Sequence, residues 1–308
     1  MSAVSLIIAT RNRAALLPRA VESARSAGDG VEVLVVDDAS EDETRAVCAR
    51  LGVRCLSVRR RLGPGGARNV GLVASDSEYV CFLDDDDLRL PGSLDAQAAA
   101  LEANPGAGVV YGRALYADGD GRPVGGSYPE ACPQGDVFWE LLSRNFVPCP
   151  AALFRRACLL KVGLLDEDAL GVEDWDLWVR IAELYPVVAD GRPASAVWRR
   201  PTSTSGQLTS RPELLHRRAR RLHQEKWLRL PRALRAGEEA RRCAARLFAE
   251  REAQALVWEA AEGLKAGRVR ALLRVALAGA EMYPVAFGRK MLAAAARQAR
   301  EVPTNDGR

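Results

Sequence analysis

Histidine is almost missing from this chain: two occur in 308 residues, His216 and His223, and both stand in the last third. A histidine-based nucleophile relay and a histidine-rich metal site are therefore excluded from the first 210 residues. Closely spaced cysteine pairs are missing too. Cys48, Cys55, Cys81, Cys132, Cys149, Cys158 and Cys243 are odd in number and scattered, which excludes a zinc site and a disulfide framework. No run approaches the ~20 apolar residues of a membrane span, because Arg, Asp or Glu interrupts every long apolar stretch. Residues Met1 to Thr10 lack a basic segment and run straight into a strand pattern. No signal peptide is expected, and the expected location is the cytoplasm, as a free protein or at the inner face of the membrane.

Charge is unevenly spread. Of 44 Lys+Arg and 40 Asp+Glu, 22 and 11 lie from Arg211 to Arg308, so that stretch carries +11 while residues 1–210 carry −7. The two parts are different objects. Basic clusters such as Arg217 to Arg221 are not interleaved with stacking aromatics, which excludes a nucleic-acid partner. Two readings of the basic part stay open. It is a helical cap or homodimer element with solvated arginines, or a surface for peripheral contact with an anionic membrane.

Residues 1–112 alternate short apolar runs with helical patterns. Strands are expected at Val4–Ala9, Val31–Val36, Val53–Val58, Tyr79–Leu83 and Gly108–Gly112, with helices between them. Repeated units of this size imply an α/β fold with a mostly parallel sheet flanked by helices, whose ligands sit at the strand C-termini. From Arg113 to Arg200 the pattern loosens, with a hairpin turn at Asp118–Gly121, a helix at Asp136–Ser143, a strand at Ala151–Phe154 and a helix at Glu173–Leu184. The Ser/Thr-rich stretch Pro201–Gly206 marks a boundary. Beyond it, Ala, Leu and Arg at helical spacing, broken at Pro231, Gly237, Gly267 and Pro284, predict a small set of packed helices. The expected organisation is a domain at 1–205, with a ligand-binding half at 1–112 and an acceptor-side half at 113–205, followed by a basic helical extension at 206–308.

Four consecutive carboxylates, Asp84-Asp85-Asp86-Asp87, follow the apolar run Tyr79–Leu83. Like charges this close repel, and the usual relief is a divalent cation, which in turn holds phosphate oxygens. The alternative is an acidic turn capping a helix that starts near Pro91.

Four more segments accompany this one in order: Ser5-Leu-Ile-Ile-Ala-Thr-Arg-Asn12, Val35-Val-Asp-Asp-Ala-Ser40, Gly63-Pro-Gly-Gly-Ala-Arg-Asn-Val-Gly71 and Glu173-Asp-Trp-Asp-Leu-Trp178. Together the five closely resemble family 2 of the inverting nucleotide-sugar glycosyltransferases, over roughly residues 3–205. The resemblance implies a GT-A fold, a nucleotide-sugar donor that is UDP- or dTDP-linked, and a divalent metal cofactor, Mn2+ or Mg2+. The acceptor it implies is a saccharide, a lipid-linked molecule or a small molecule. It assigns Asp86 as principal metal ligand, with Asp84 and Asp85 near ribose and diphosphate and Asp84 also near the metal. Asp87 is extra, and reads as a helix cap.

By the same resemblance Asp38 accepts a hydrogen bond from the base, with Asp37 its structural partner; the alternative is that Asp38 to Glu41 merely starts a helix. Thr10 and Arg11 lie beside the expected base site, where many relatives carry an aromatic in place of Arg11. Pro64 and the wrong spacing exclude a dinucleotide fingerprint at Gly63–Gly66. Arg68 approaches the diphosphate or pairs with the aspartates. Asp174 is the general base that takes the acceptor proton, and Glu173 orients it or binds sugar. Trp175 and Trp178, three apart, form core or a sugar platform, and Asp176 and Arg180 are placed to pair. Arg200 stands where many relatives have a metal- or diphosphate-holding His, and a guanidinium binds phosphate but no cation.

Two other classes compete. A nucleotidyltransferase would carry a glycine-rich triphosphate loop at its N-terminus, and Ile8-Ala-Thr-Arg-Asn12 has no glycine. A non-catalytic domain serving the basic tail would not need the acids at 84–87 or Asp174.

Overall fold

The computed structural model describes residues 4–118, 120–199, 211–265 and 267–301. It divides into two compact units, Met1–Leu141 with Asn145–Ser205, and Leu142–Arg144 with Gly206–Arg308.

In the first unit the chain runs β1 (Val4–Thr10), α1 (Leu17–Ser26), β2 (Glu32–Asp37), α2 (Thr44–Arg50), β3 (Arg54–Ser57), α3 (Gly63–Ala74), β4 (Tyr79–Asp84), β5 (Leu88–Arg89) and α4 (Ser93–Glu102). It continues with β6 (Val109–Tyr111), β7 (Ala114–Ala117), β8 (Pro123–Tyr128), α5 (Phe138–Leu141), β9 (Ala152–Arg155), α6 (Leu159–Val162), α7 (Glu173–Leu184), β10 (Val187–Ala189) and β11 (Ala196–Arg199). Seven strands form the main sheet in the order β10-β6-β9-β4-β1-β2-β3, and β5-β11-β7-β8 form a smaller one.

β1 is central and parallel to both neighbours, β2 and β4. A strand covered on both faces reads as a continuous apolar run, and Leu6, Ile7 and Ile8 are fully buried. Ser5 is the polar exception, and its hydroxyl is satisfied by Glu32, Ser75 and Ser77. Register places Thr10 opposite Asp37 and Ala9 opposite Asp84, so three strands end side by side on one edge. That edge is where an open α/β sheet binds ligands.

The sheet is mostly parallel, as its periodicity predicts, with one exception. β9 lies antiparallel between β4 and β6. The loosened stretch after Arg113 supplies three of the four strands of the second sheet, in which β7 and β8 form the expected hairpin. β8 forms the second arm although Gly125 and Gly126 interrupt its strand pattern. The helix expected at 136–143 is reduced to the four residues of α5. Both tryptophans of α7 are core: Trp178 is fully buried with its ring edge-on to Phe154, and the Trp175 indole N–H donates to the Leu141 carbonyl at 2.7 Å.

The second unit contains α8 (Pro212–Glu225), α9 (Pro231–Arg235), α10 (Gly237–Lys265), α11 (Val269–Met282) and α12 (Pro284–Glu301). Three of the four expected breaks begin helices, at Pro231, Gly237 and Pro284, and Gly267 lies between α10 and α11 with φ +66°. Among the described residues no helix is long and apolar enough to cross a membrane.

The two histidines hold opposite charge states within this unit. Burial works against a charge on His216, but Glu252 at 2.6 Å and Glu259 at 3.3 Å outweigh it and push its pKa up to about 10. His223 is stacked on Phe248 with centroids 4.1 Å apart, and burial pushes it down to about 4. A raised histidine pKa gives stability that is complete below the unfolded value of 6.5 and fades as pH rises to about 10. A lowered one loses stability as pH falls from 6.5 toward 4. The helical unit is thus expected to be most stable near neutral pH, each limb sloping by up to about 1.4 kcal/mol per pH unit. His216→Gln should flatten the alkaline limb and His223→Phe the acid limb, as read by circular dichroism melts across pH.

Candidate active site

The strand ends at Thr10, Asp37 and Asp84 supply one side of the site, and α3 and the start of α7 supply the other. Asp85 is buried, and its carboxylate accepts from the Thr10 hydroxyl at 2.7 Å and from the Arg13 guanidinium at 2.8 Å. Burial pushes its pKa up to about 6, against the pull of Arg13 and Thr10. Arg13 also reaches Asp86 at 3.1 Å. Its partners lie more than 70 positions away, so no local pattern in the sequence marks it.

Carboxylate oxygens of Asp84, Asp86 and Asp87 lie within 4.8 Å of one another. At that spacing and an effective dielectric near 20, each pair of charges repels by roughly 3–4 kcal/mol. Three oxygen ligands clustered this way match the preference of a hard divalent cation. Asp87 therefore belongs with the acids rather than capping a helix, since the chain passes from it into β5 and α4 starts only at Ser93.

Arg68 of α3 is buried and spans the two acidic clusters. One nitrogen donates to Asp84 at 2.5 Å and the other to Glu173 at 2.8 Å. Burial opposes its charge, and Asp84, Glu173 and Asp174 more than restore it, so its pKa stays above the ordinary value. The second oxygen of Glu173 accepts the Gly171 N–H. Asp174, partly exposed at the first turn of α7, accepts the Trp175 N–H at 2.7 Å. Burial and the adjacent Glu173 carboxylate push Asp174 up to about 7. Asp176 is fully buried and pairs with Arg180 at 2.8 Å, a structural contact.

Asp37 has the structural contacts expected of it, and Asp38 holds backbone groups at the start of α3. Asp37 accepts from the Ser40 N–H and the Ser57 hydroxyl, at 2.9 and 3.0 Å. Asp38 accepts the Leu62 and Gly63 N–H groups at 2.6 and 2.9 Å, so it caps the start of α3 and not the helix that follows it in sequence. Arg11 follows β1, partly exposed. Arg200 lies outside the described residues.

Residues 5–163, slightly more than half of the chain, match the model of glycosyl transferase family 2. The chain belongs to this family. It is 35% identical over 122 residues to the GalNAc(5)-diNAcBac-PP-undecaprenol beta-1,3-glucosyltransferase of Campylobacter jejuni, which covers 37% of this chain and 39% of that one. The chain thus spans well under half the length of that relative. Among solved structures it resembles S. aureus TarS in complex with UDP-GlcNAc, with TM-score 0.60 and 20% identity over 81% of this chain and 71% of that one. The mannosyltransferase PcManGT of Pyrobaculum calidifontis, solved with GDP-Man and Mn2+, matches with TM-score 0.52 and 20% identity over 96% and 87%. The fold is GT-A-like, and the family assignment leaves the nucleotidyltransferase alternative without support.

Arg68→Met leaves Glu173 buried without its cation. The expected cost is about 3–5 kcal/mol in urea unfolding, and adding Glu173→Gln should recover part of it.

Proposed function

We propose that this glycosyltransferase moves a hexosyl group, with inversion, from a UDP- or dTDP-sugar to a hydroxyl of a saccharide, lipid-linked or small-molecule acceptor. The observation that carries the reading is the Arg68 bridge. It ties Asp84 of the acidic cluster to Glu173, the immediate neighbour of a carboxyl poised near neutral pH. A leaving-group site and a base are thereby joined in one constellation.

The donor set fits a divalent cation: Asp86 and Asp84 would hold Mn2+ or Mg2+, with Asp87 in the same group. Such a cation, when bound, offsets the negative charge that develops on a departing nucleoside diphosphate. Asp85 keeps Thr10 and Arg13 in place at the strand ends. Thr10, Arg11 and Asp38 flank the base, and Asp38 acts there by fixing the backbone of Leu62 and Gly63, its oxygens retaining further lone pairs to accept from a base N–H. Arg68 and Arg200 are the guanidinium groups assigned to the diphosphate side. The acceptor oxygen attacks the anomeric carbon from the face opposite the diphosphate, Asp174 takes its proton, and the C–O bond to the diphosphate breaks. Glu173, locked by Arg68 and Gly171, orients the first turn of α7. The half at 1–112 binds donor and the half at 113–205 meets acceptor.

Asp174 must be ionised to accept a proton, so donor turnover should rise with pH through an inflection near 7. Asp174→Asn should lower turnover on the order of a hundredfold, remove that inflection and leave UDP affinity intact. Asp86→Ala should abolish the Mn2+-dependent part of UDP binding in calorimetry. Near-normal turnover by the first variant removes Asp174 from the mechanism, and unchanged affinity in the second removes Asp86 from the metal site.

A further inference from the structure

The segment from Gly163 to Val172 delivers Glu173 and Asp174 to the start of α7, and its course is set by α3. At Gly65 an added Cβ would lie 3.5 Å from the Glu167 Cα and 3.6 Å from the Asp166 carbonyl oxygen. At Gly66 it would lie 2.7 Å from the Leu62 Cβ and 3.3 Å from a Glu167 carboxylate oxygen. The first turn of α3 thus lies against this segment, at ordinary contact distance at Gly65, while the closest approach to Gly66 is that of Leu62.

Asn69, the next residue facing the segment, is 7% exposed and grips it three times. Its Oδ1 accepts the Leu165 N–H at 3.0 Å, and its Nδ2 donates to the Leu165 carbonyl at 3.0 Å and to a Glu167 carboxylate oxygen at 3.1 Å. The two bonds to Leu165 fix the plane of one amide against the backbone of one residue. Asp would lose both donors, and Leu would lose everything. Arg68, adjacent in sequence, holds Glu173 at 2.8 Å, so consecutive side chains of α3 clasp both ends of residues 165–173. Arg180 of α7 steadies the entry to the segment through the carbonyls of Val162, Gly163 and Leu164.

We propose that Asn69 is a positioning residue for Asp174: its grip on Leu165 and Glu167 sets where the proton-accepting carboxylate stands. The inference rests on the reading of Asp174 as base. A misplacement of about 1 Å at a reacting group costs on the order of a hundredfold in rate, so release of the segment should appear in turnover and not in donor binding.

The test uses full-length Asn69→Leu, with Asn69→Asp as the second variant should the first fail to fold. Hydrogen exchange should speed up in residues 164–176 and stay unchanged in β1 and β2. With the nucleotide sugar that the wild type hydrolyses fastest among UDP-, dTDP- and GDP-sugars, kcat should fall at least tenfold. KM and the affinity for UDP with Mn2+ should stay within twofold. In an Asp174→Asn background the same change should add less than a twofold loss, because both act on one group. Unchanged exchange at 164–176, a kcat within twofold of wild type, or a full additional loss in the double variant would each overturn the proposal. Where the wild type turns over none of these nucleotide sugars, exchange at 164–176 alone decides, and unchanged exchange overturns the proposal.

Discussion

The buried guanidinium of Arg68 is the charge on which the arrangement of acids depends. Without it, Glu173 would be an isolated carboxylate at 5% side-chain exposure, and Asp84 would lose the guanidinium that pairs with it. A bare buried charge of this kind neutralises itself or destabilises the fold. With Arg68 in place, Glu173 can accept the Gly171 N–H, and burial and Glu173 raise the pKa of the neighbouring Asp174 to about 7 against the pull of Arg68. One cation thus stabilises the fold and tunes the proposed base.

The parallel sheet makes this economy workable. Register brings the ends of β1, β2 and β4 together, so Thr10, Asp37 and Asp84 need no long loops to meet. Burial at that edge treats the acids unequally. Asp85, inside, is held by Thr10 and Arg13 with its pKa raised to about 6, whereas Asp84 and Asp86 stay partly open to solvent. Asp84 and Asp86, partly open, share the carboxylate cluster with the buried Asp87, and Asp85 organises the strand ends.

Much of this was legible in the sequence, for physical reasons. Apolar runs followed by acids mark parallel strands and their ligand edge, and the spacing of Glu173 and Asp174 from the acid run belongs to a family pattern. Other parts have no local signature. Arg13 and Asn69 act on residues 72 to 98 positions away, so only the fold reveals them. Asp38 looks like the cap of the next helix, yet it caps α3, because the end of β2 and the start of α3 lie side by side. Asp87 looks like a helix cap because the intervening β5 is only two residues long. For Trp175 and Trp178 the helical spacing favours core over platform, and the packing of α7 on Leu141 and Phe154 decides for core. The histidines, set aside as remote from the acids, turn out to be opposed charge states inside the helical unit.

The central claim is a single displacement at the anomeric carbon, assisted by Asp174 on the face opposite the diphosphate. Proton NMR of the first-formed sugar from an α-linked nucleotide donor tests it most directly, before the free sugar equilibrates between anomers. The account predicts a β-anomer as initial product in the wild type, with its rate of appearance lost in Asp174→Asn. An α-anomer as first product would contradict single-step inversion and with it the role given to Asp174.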